Sequence, residues 1–295
     1  RELIRQNYNH PSVIVWGLSN ELHQMNDEIF GLYSELYEIA CKEDDTRLKT
    51  FADNQFYGRF LELPADVVGY NRYLGWYKEA GSAENFGEWL DLYHNEKEKR
   101  PVCISEYGGG GAISQHKDNV DWESDIDPVG VRHYENYQSQ LHEILWKQFS
   151  VRKYLWAEFI WCMFDFASYG RTEGDTKSLN DKGLCTRERI PKDVYFFYRS
   201  VWSSEKTVYI TERRHEFRAC DVPFVKVYSN ADAVELYIND ISYGRISRCE
   251  LPDDENTVFV WKNIKIKPDT KNNICAKAYF SDGTSRTDYA FWTGK

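Results

Sequence analysis

Two glutamates stand where carboxylates could act together. "VIVWGLSNEL" (Val13–Leu22) runs from large apolar residues into Asn20 and Glu21, and "PVCISEYG" (Pro101–Gly108) runs from apolar residues into Glu106. A carboxylate that closes an apolar strand is partly desolvated, which favours its protonated form unless a partner balances the charge. Either residue alone reads more readily as a helix cap or a salt-bridge partner. Two of them at one face, flanked by aromatics and glycines, suit a two-carboxyl reaction. One group donates a proton to a leaving oxygen while the other attacks carbon or activates water, which is the chemistry of glycoside hydrolysis. Asn20 fits as well, because an amide beside the acid can bond a sugar hydroxyl more tightly as an oxocarbenium ion forms.

Other chemistries find less support. The "GGGG" run at 108–111 has no Lys-Ser/Thr after it and is no phosphate cradle. The seven cysteines are scattered, show no zinc spacing with histidine, and read as mostly free, buried thiols. A net charge of −10 argues against nucleic acid and anionic membranes as partners. No apolar run is long enough for a membrane span. Aromatics reach 16%, with ten Trp and twenty-one Tyr, which fits stacking on sugar rings as well as an aromatic-rich core. His116 in "SQHKD" is expected at the surface and His10 in "NHPSV" in a structural role. Asp165 in "MFDF" reads as a satisfied buried carboxylate outside the catalytic set.

The elements that must position these residues alternate between apolar runs and amphipathic ones. Strands are expected near 13–19, 48–52, 67–70, 102–105 and 155–162. Helices are expected near 27–42, 83–99, 129–149 and 194–201, with Val131, Tyr134, Leu141, Ile144 and Leu145 inward on the third. Such alternation means parallel strands with helical crossovers. Five strands make an open sheet or the last five of an eight-stranded barrel whose first three are missing. In a barrel, chemistry sits at the carboxyl ends of the strands. After Ser203 the texture changes to short β-rich runs such as "FVKVYSN", "AVELYIND" and "NTVFVWKNI", split by Asn, Asp, Gly and Pro. That is a β-sandwich pattern.

In their order along the chain, "NHPSVIVWGLSNE", "GYNRYLGWY", "PVCISEYG", "FIWCMFDFASYGR" and "NDKGLCTRERIPKDVYFFYRSVW" resemble glycoside hydrolase family 2, which holds β-galactosidases and β-glucuronidases. The later "VKVYSNADAVELYIND" resembles the immunoglobulin-like domain that follows the barrel in some bacterial β-galactosidases of that family. The resemblance implies an α/β fold: a TIM (β/α)8 barrel lacking its first strands over residues 1–203, then an immunoglobulin-like sandwich over 204–295. It makes Glu21 the acid/base, Asn20 the sugar-binding amide before it, and Glu106 the nucleophile of a retaining reaction. The two carboxyl groups would then lie about 5–5.5 Å apart. Tyr73 of "NRYLGWY" matches a tyrosine that bonds the nucleophile, and Trp161 a tryptophan lining the sugar pocket. Cys162 departs from the pattern where many relatives have Asn.

For the sugar, Asn180 and Lys182 of "NDK" match a pair that binds the carboxylate of glucuronic acid in β-glucuronidases, yet the same letters occur in β-galactosidases. Tyr77 and Arg171 are expected to line the same pocket in either case. The surrounding sequence puts an exo-acting β-galactosidase first, with a β-glucuronidase or a non-catalytic carbohydrate-binding fragment as alternatives. No cofactor and no metal ligand set is expected, and the partner is a carbohydrate. Oligomeric state and metal dependence are left open. The chain opens on "RELIRQNYNHPS", without Met or signal peptide and inside a helical pattern. The natural start is therefore expected upstream, in a bacterial protein whose compartment is unreadable. A barrel without three strands leaves two free edges, so activity of this piece by itself is also left open.

Overall fold

Five apolar runs become one parallel sheet in the computed structural model, which describes residues 1–253 and 256–295. Its strands are β1 (Val15–Asn20), β2 (Leu48–Asp53), β3 (Val68–Asn71), β4 (Val102–Tyr107) and β5 (Leu155–Ile160), hydrogen-bonded in that order. All four pairings are parallel. Among the described residues β1 and β5 are each bonded on one side only. The helices of this part are α1 (Glu2–Asn7), α2 (Asp27–Glu43) and α3 (Phe86–Glu96). By internal contacts the chain divides into two compact units. One comprises Arg1–Leu74, Glu79–Tyr107 and Gln148–Trp161, and the other Gly75–Lys78, Gly108–Lys147 and Cys162–Lys295.

In the first unit, local sequence explains most of the elements. Asn26 caps α2 by accepting the Ile29 amide, and Asp27 and Glu28 place negative charge at its positive end. The helix buries Tyr33 and Ala40, while Leu32 and Leu36, which share the apolar spacing of this helix, are exposed. All four residues of β3 are buried, as befits a strand covered on both faces. Among the register irregularities of this sheet, which include two shifts between β4 and β5, one on β1 and one on β4 shape the strand ends. Gly17 pairs with Thr50 but Asn20 with Ala52, so β1 carries one extra residue. Tyr70 pairs with Ile104 but Asn71 with Glu106, so β4 carries one extra residue at Ser105. Such bulges re-aim side chains, and both fall at the ends where strand-closing carboxylates stand.

The second unit contains α4 (Trp122–Asp125), most of α5 (Glu135–Ser150), the pair β6 (Phe166–Ala167) and β7 (Leu179–Asn180), and α6 (Asp193–Trp202). The expected helix over 129–149 begins six residues late. Gly130 closes a turn onto the Asp127 carbonyl, and Val129 and Val131 lie exposed in the loop, whereas Leu141 and Leu145 are buried as expected. Pro128 and Gly130 are the local reason, since neither favours helix continuation.

The chain then builds two facing sheets. The first runs β13 (Val258–Lys265), β10 (Asp221–Ser229), β8 (Val208–Ile210). The second runs β12 (Ile241–Ser247), β11 (Ala233–Ile238), β14 (Lys271–Tyr279), β15 (Ser285–Gly294), β9 (Phe217–Arg218). Alternate residues Val225, Val227, Val234, Leu236, Ile238, Phe259, Ile274 and Trp292 close one core. The strands at 241–247 and 285–294 were not expected from the sequence, because the first is largely exposed and lacks an apolar face. All seven cysteines are free, but only Cys103 and Cys185 are buried and Cys249 is exposed.

Phe259 is fully buried in this core. Phe259→Ala is expected to cost about 3–5 kcal/mol through lost transfer energy and a residual cavity. A urea midpoint for the sandwich transition that stays within error of the parent would contradict that.

Candidate active site

The rim of the parallel sheet is assembled by one buried amide. Asn71, the last residue of β3, donates from Nδ2 to Asn20 Oδ1 at 3.1 Å and to Glu21 Oε1 at 3.0 Å. Its Oδ1 accepts from Ser105 Oγ at 2.7 Å. Consecutive residues 20 and 21 can both face Asn71 because Glu21 has a positive φ of 47°, a region that side chains other than glycine rarely occupy. The Glu21 amide is anchored to the Ala52 carbonyl at 2.9 Å. On the neighbouring strand, Tyr73 Oη donates to Glu106 Oε2 at 2.6 Å, a charge-assisted length. Thus Asn20, Glu21, Tyr73 and Glu106 occupy the ends of β1, β3 and β4 in a single unit. Trp161 follows β5 directly, its amide bonded to the Tyr107 carbonyl at 3.0 Å.

The loop carrying Tyr73 is stiffened by Arg72. Its guanidinium lies over the rings of Phe56 and Trp89, 4.4 and 4.6 Å from their centroids, and its amide bonds the Glu106 carbonyl. Burial draws the Arg72 pKa down to about 10. A third carboxylate, Asp53, closes β2 and is fully buried, with Oδ1 accepting the Gln55 amide. Burial pushes its pKa up, and the charge of Glu21 adds to the effect. Asn71, Ser105 and Asp53 were all missed in the sequence. Asp53 had a signal, because "TFAD" ends an apolar strand in a carboxylate as the other two do. Asn71 and Ser105 had none, since a short polar residue at a strand end is unremarkable until its partners are known.

The second unit holds the other expected residues. Lys182 is buried, and its Nζ donates to Tyr77 Oη at 3.2 Å and sits near the rings of Trp76 and Tyr77. Asn180 Oδ1 accepts the Lys182 amide at 3.1 Å, which makes Asn180 a turn former here. Burial works to lower the Arg171 pKa, but hydrogen bonding to Glu173 and interaction with Tyr77 outweigh it and hold the guanidinium charged. Two cations therefore act on the one Tyr77 hydroxyl.

Behind them stands a buried ionic frame. Lys192 Nζ bonds Asp165 Oδ1 and the Asp181 carbonyl, both at 2.8 Å, and the Gly183 amide also bonds Asp165 Oδ1. Asp181 Oδ2 is 2.7 Å from His133 Nδ1, whose ring meets Trp76 edge-on. Gly110 is required by closeness: a Cβ there would lie 2.5 Å from Asp181 Oδ1 and 2.8 Å from His133 Nδ1. The glycine run at 108–111 thus serves packing. Cys162 donates its thiol to the Phe164 carbonyl and its amide to Lys182 O, and burial pushes its pKa up to about 11.

His116 is not at the surface. It is half-buried, with its side chain against Glu135 at 2.9 Å and stacked on His215. Asp118, Glu212 and His215 could bring one ligand atom each within 4.8 Å. Arg218 bonds both acids there, Glu212 at 2.8 Å, so a guanidinium already supplies the positive charge.

Comparison with known proteins identifies the family. Residues 1–207 match the family described as Glycosyl hydrolases family 2, TIM barrel domain. The chain belongs to glycoside hydrolase family 2. Residues 222–286 match a Domain of unknown function (DUF4982). Among its family 2 relatives, a Bacteroides fragilis protein named β-glucuronidase is 37% identical over 267 residues, covering 90% of this chain and 37% of its own length. A crystal structure described as an FMN-binding β-glucuronidase from Facaelibacterium prausnitzii L2-6 superposes with TM-score 0.87 at 34% identity, over 100% of this chain and 43% of its own. A putative β-galactosidase from Bacteroides fragilis gives TM-score 0.89 at 30% identity, again over 100% of this chain and 43% of its own. This family 2 chain therefore spans under half the length of these relatives.

The Asp165 carboxyl makes a stability prediction for the family 2 chain. Burial pushes its pKa up to about 6 despite Lys192. The folded state then holds a proton between roughly pH 4 and 6 that the unfolded state has lost, so this group's contribution favours folding below pH 4 and declines as pH rises to 6. Asp165→Asn should flatten that part of the stability-against-pH curve in chemical denaturation. A slope unchanged from the parent over that window would show that Asp165 does not titrate there.

Proposed function

We propose that the chain carries the acid and the nucleophile of a retaining, exo-acting β-glycosidase, and that the sugar removed is β-D-glucuronic acid. Residues 1–203 supply the catalytic part and 204–295 an immunoglobulin-like sandwich. The Glu106 carboxylate attacks the anomeric carbon while the glycosidic C–O bond breaks, and Glu21 passes its proton to the leaving oxygen. A glycosyl ester on Glu106 results. Water then attacks that carbon, Glu21 takes its proton, and the ester C–O bond breaks to return the Glu106 carboxylate. The β configuration is kept because two inversions cancel. Tyr73 donates to Glu106 and supports its resting charge. Asn20 binds the hydroxyl beside the anomeric carbon, and Trp161 offers an apolar wall to the ring.

The observation that carries the choice of sugar is the Lys182–Tyr77–Arg171 group. A buried lysine and a held guanidinium around one hydroxyl suit a carboxylate, which accepts charge-assisted bonds from all three. A galactoside offers only a neutral hydroxymethyl at the corresponding carbon. The relatives named β-glucuronidase support the same reading, which moves ahead of the galactoside expected from sequence. The second reading, β-galactosidase, is favoured by the relative of that description.

The test uses the full-length polypeptide that carries this sequence. With 4-nitrophenyl β-glucuronide and β-galactoside in parallel, kcat/KM should favour the glucuronide, and Lys182→Ala should lower only the glucuronide value, by about 100-fold, as loss of a desolvated charged partner costs roughly 2–5 kcal/mol. A preference for galactoside with an indifferent Lys182→Ala variant selects the second reading. Independently, Glu106→Gln should abolish turnover, and a 2-deoxy-2-fluoro glucuronide should label Glu106. Label found on another residue ends the proposed mechanism.

A further inference from the structure

We infer that Ser105 is a positioning residue that sets the direction of a hydrogen-bond relay, Ser105 to Asn71 to Asn20 and Glu21. This rests on the reading of Glu21 as the acid/base. A primary amide can sit in either of two orientations of nearly equal shape, and only its partners decide between them. The Ser105 hydroxyl donates to Asn71 Oδ1 at 2.7 Å, so the two Asn71 N–H groups face the other way. One N–H goes to Glu21 Oε1 and the other to Asn20 Oδ1. The consequence is a fixed polarity. Glu21 receives a donor on Oε1, which leaves Oε2 as the oxygen that carries the transferable proton. Asn20 has its carbonyl oxygen engaged, which turns its own N–H groups to serve as donors to the sugar.

The fold goes out of its way to place this hydroxyl. The extra residue on β4 falls at Ser105, so that Ser105 and Glu106, neighbours in sequence, both engage side chains at the end of β3 and just beyond it. Gly69 clears the space, since a Cβ there would lie 2.8 Å from Ser105 Oγ and 2.9 Å from the Phe51 carbonyl. Asn71 itself is only 2% exposed, so a wrongly turned amide could not recover its bonds from water. Other ionisable groups at this rim include Asp53 on β2, Glu106 on β4, and Arg72 and Tyr73 after β3.

The test is the pH profile of kcat/KM for the full-length polypeptide, whose alkaline limb follows loss of the acid's proton. In Ser105→Ala the Asn71 amide is free to turn its oxygen toward Glu21, which disfavours the carboxylate. The alkaline limb should move up by about half a pH unit to one unit. Hydrolysis of 4-nitrophenyl glucuronide should fall about 10-fold, the scale of one hydrogen bond. A dinitrophenyl glucuronide, whose leaving group needs little protonation, should lose less. Ser105→Thr keeps the hydroxyl and should return the limb toward the parent position. Asn71→Asp removes both N–H donors and should move the limb further in the same direction, which serves if Ser105→Ala does not fold.

Equal losses on both substrates with an unmoved limb overturn the relay, as does a Ser105→Thr variant that matches Ser105→Ala, or an Asn71→Asp limb that does not move. If the parent is active and Glu21→Ala loses the acid step while the Ser105 and Asn71 variants leave the limb in place, the relay alone fails. A parent that cleaves neither glucuronide nor galactoside overturns the functional reading and the relay with it.

Discussion

Everything at the rim of the parallel sheet depends on the buried amide of Asn71 being satisfied on both sides. Its oxygen and both hydrogens are used, across three strands, inside a low-dielectric layer where an unmade bond costs about 1–3 kcal/mol. That penalty is what makes β1 and β4 accept an extra residue each, and Glu21 a left-handed backbone. The bulges before Asn20 and at Ser105 lie on the two strands that lead into Glu21 and Glu106. Regular strands would alternate their side chains and could not present residues 20 and 21, or 105 and 106, to the same neighbours.

The second unit solves a different problem with charge. Lys182 sits in an aromatic setting, over Trp76 and Tyr77, where a lone ammonium would be costly. The loop that carries it is therefore fixed from behind by Lys192, Asp165, Asp181 and His133. Asp165 has the Lys192 ammonium and the Gly183 amide, and Asp181 has the His133 ring, so the frame is satisfied rather than merely charged. It resists the loop motion that would blur where the Lys182 ammonium sits.

A further buried network joins α5 and α6 to the sandwich strands within that same unit. Glu135 and Asp193 share Arg214, His116 meets Glu135, and the Tyr209 hydroxyl bonds Asp193. Burial pushes the Asp193 pKa up, and the charge of Glu135 pushes it further. Two carboxylates against one guanidinium is an expensive arrangement, tolerated because breaking it would strand buried charge. It ties residues far apart in sequence into one cooperative body, alongside Lys226 and Tyr228 bonding Glu143.

Much of the fold was legible in residue order, for simple physical reasons. The runs at 48–52 and 102–105 read as strands, and the alternation of Val234, Leu236 and Ile238 as a face turned to a core. Strand-closing Glu21 and Glu106 stood out because a charge at the end of an apolar run needs a cause. Periodicity misled at Val131, where Pro128 and Gly130 hold the chain in a loop, and at Leu32 and Leu36, which repeat correctly but remain exposed. His116 looked like a surface residue in sequence, and only the fold sets Glu135, nineteen positions later, beside it. The sequence by itself determined which side chains could be acids, cations and amides, and that they would sit at strand ends. Which of them share a proton donor, and which way Asn71 points, was decided only by the tertiary structure. Register and bulges bring together groups from strands fifty residues apart, and no local pattern encodes a hydrogen bond of that range.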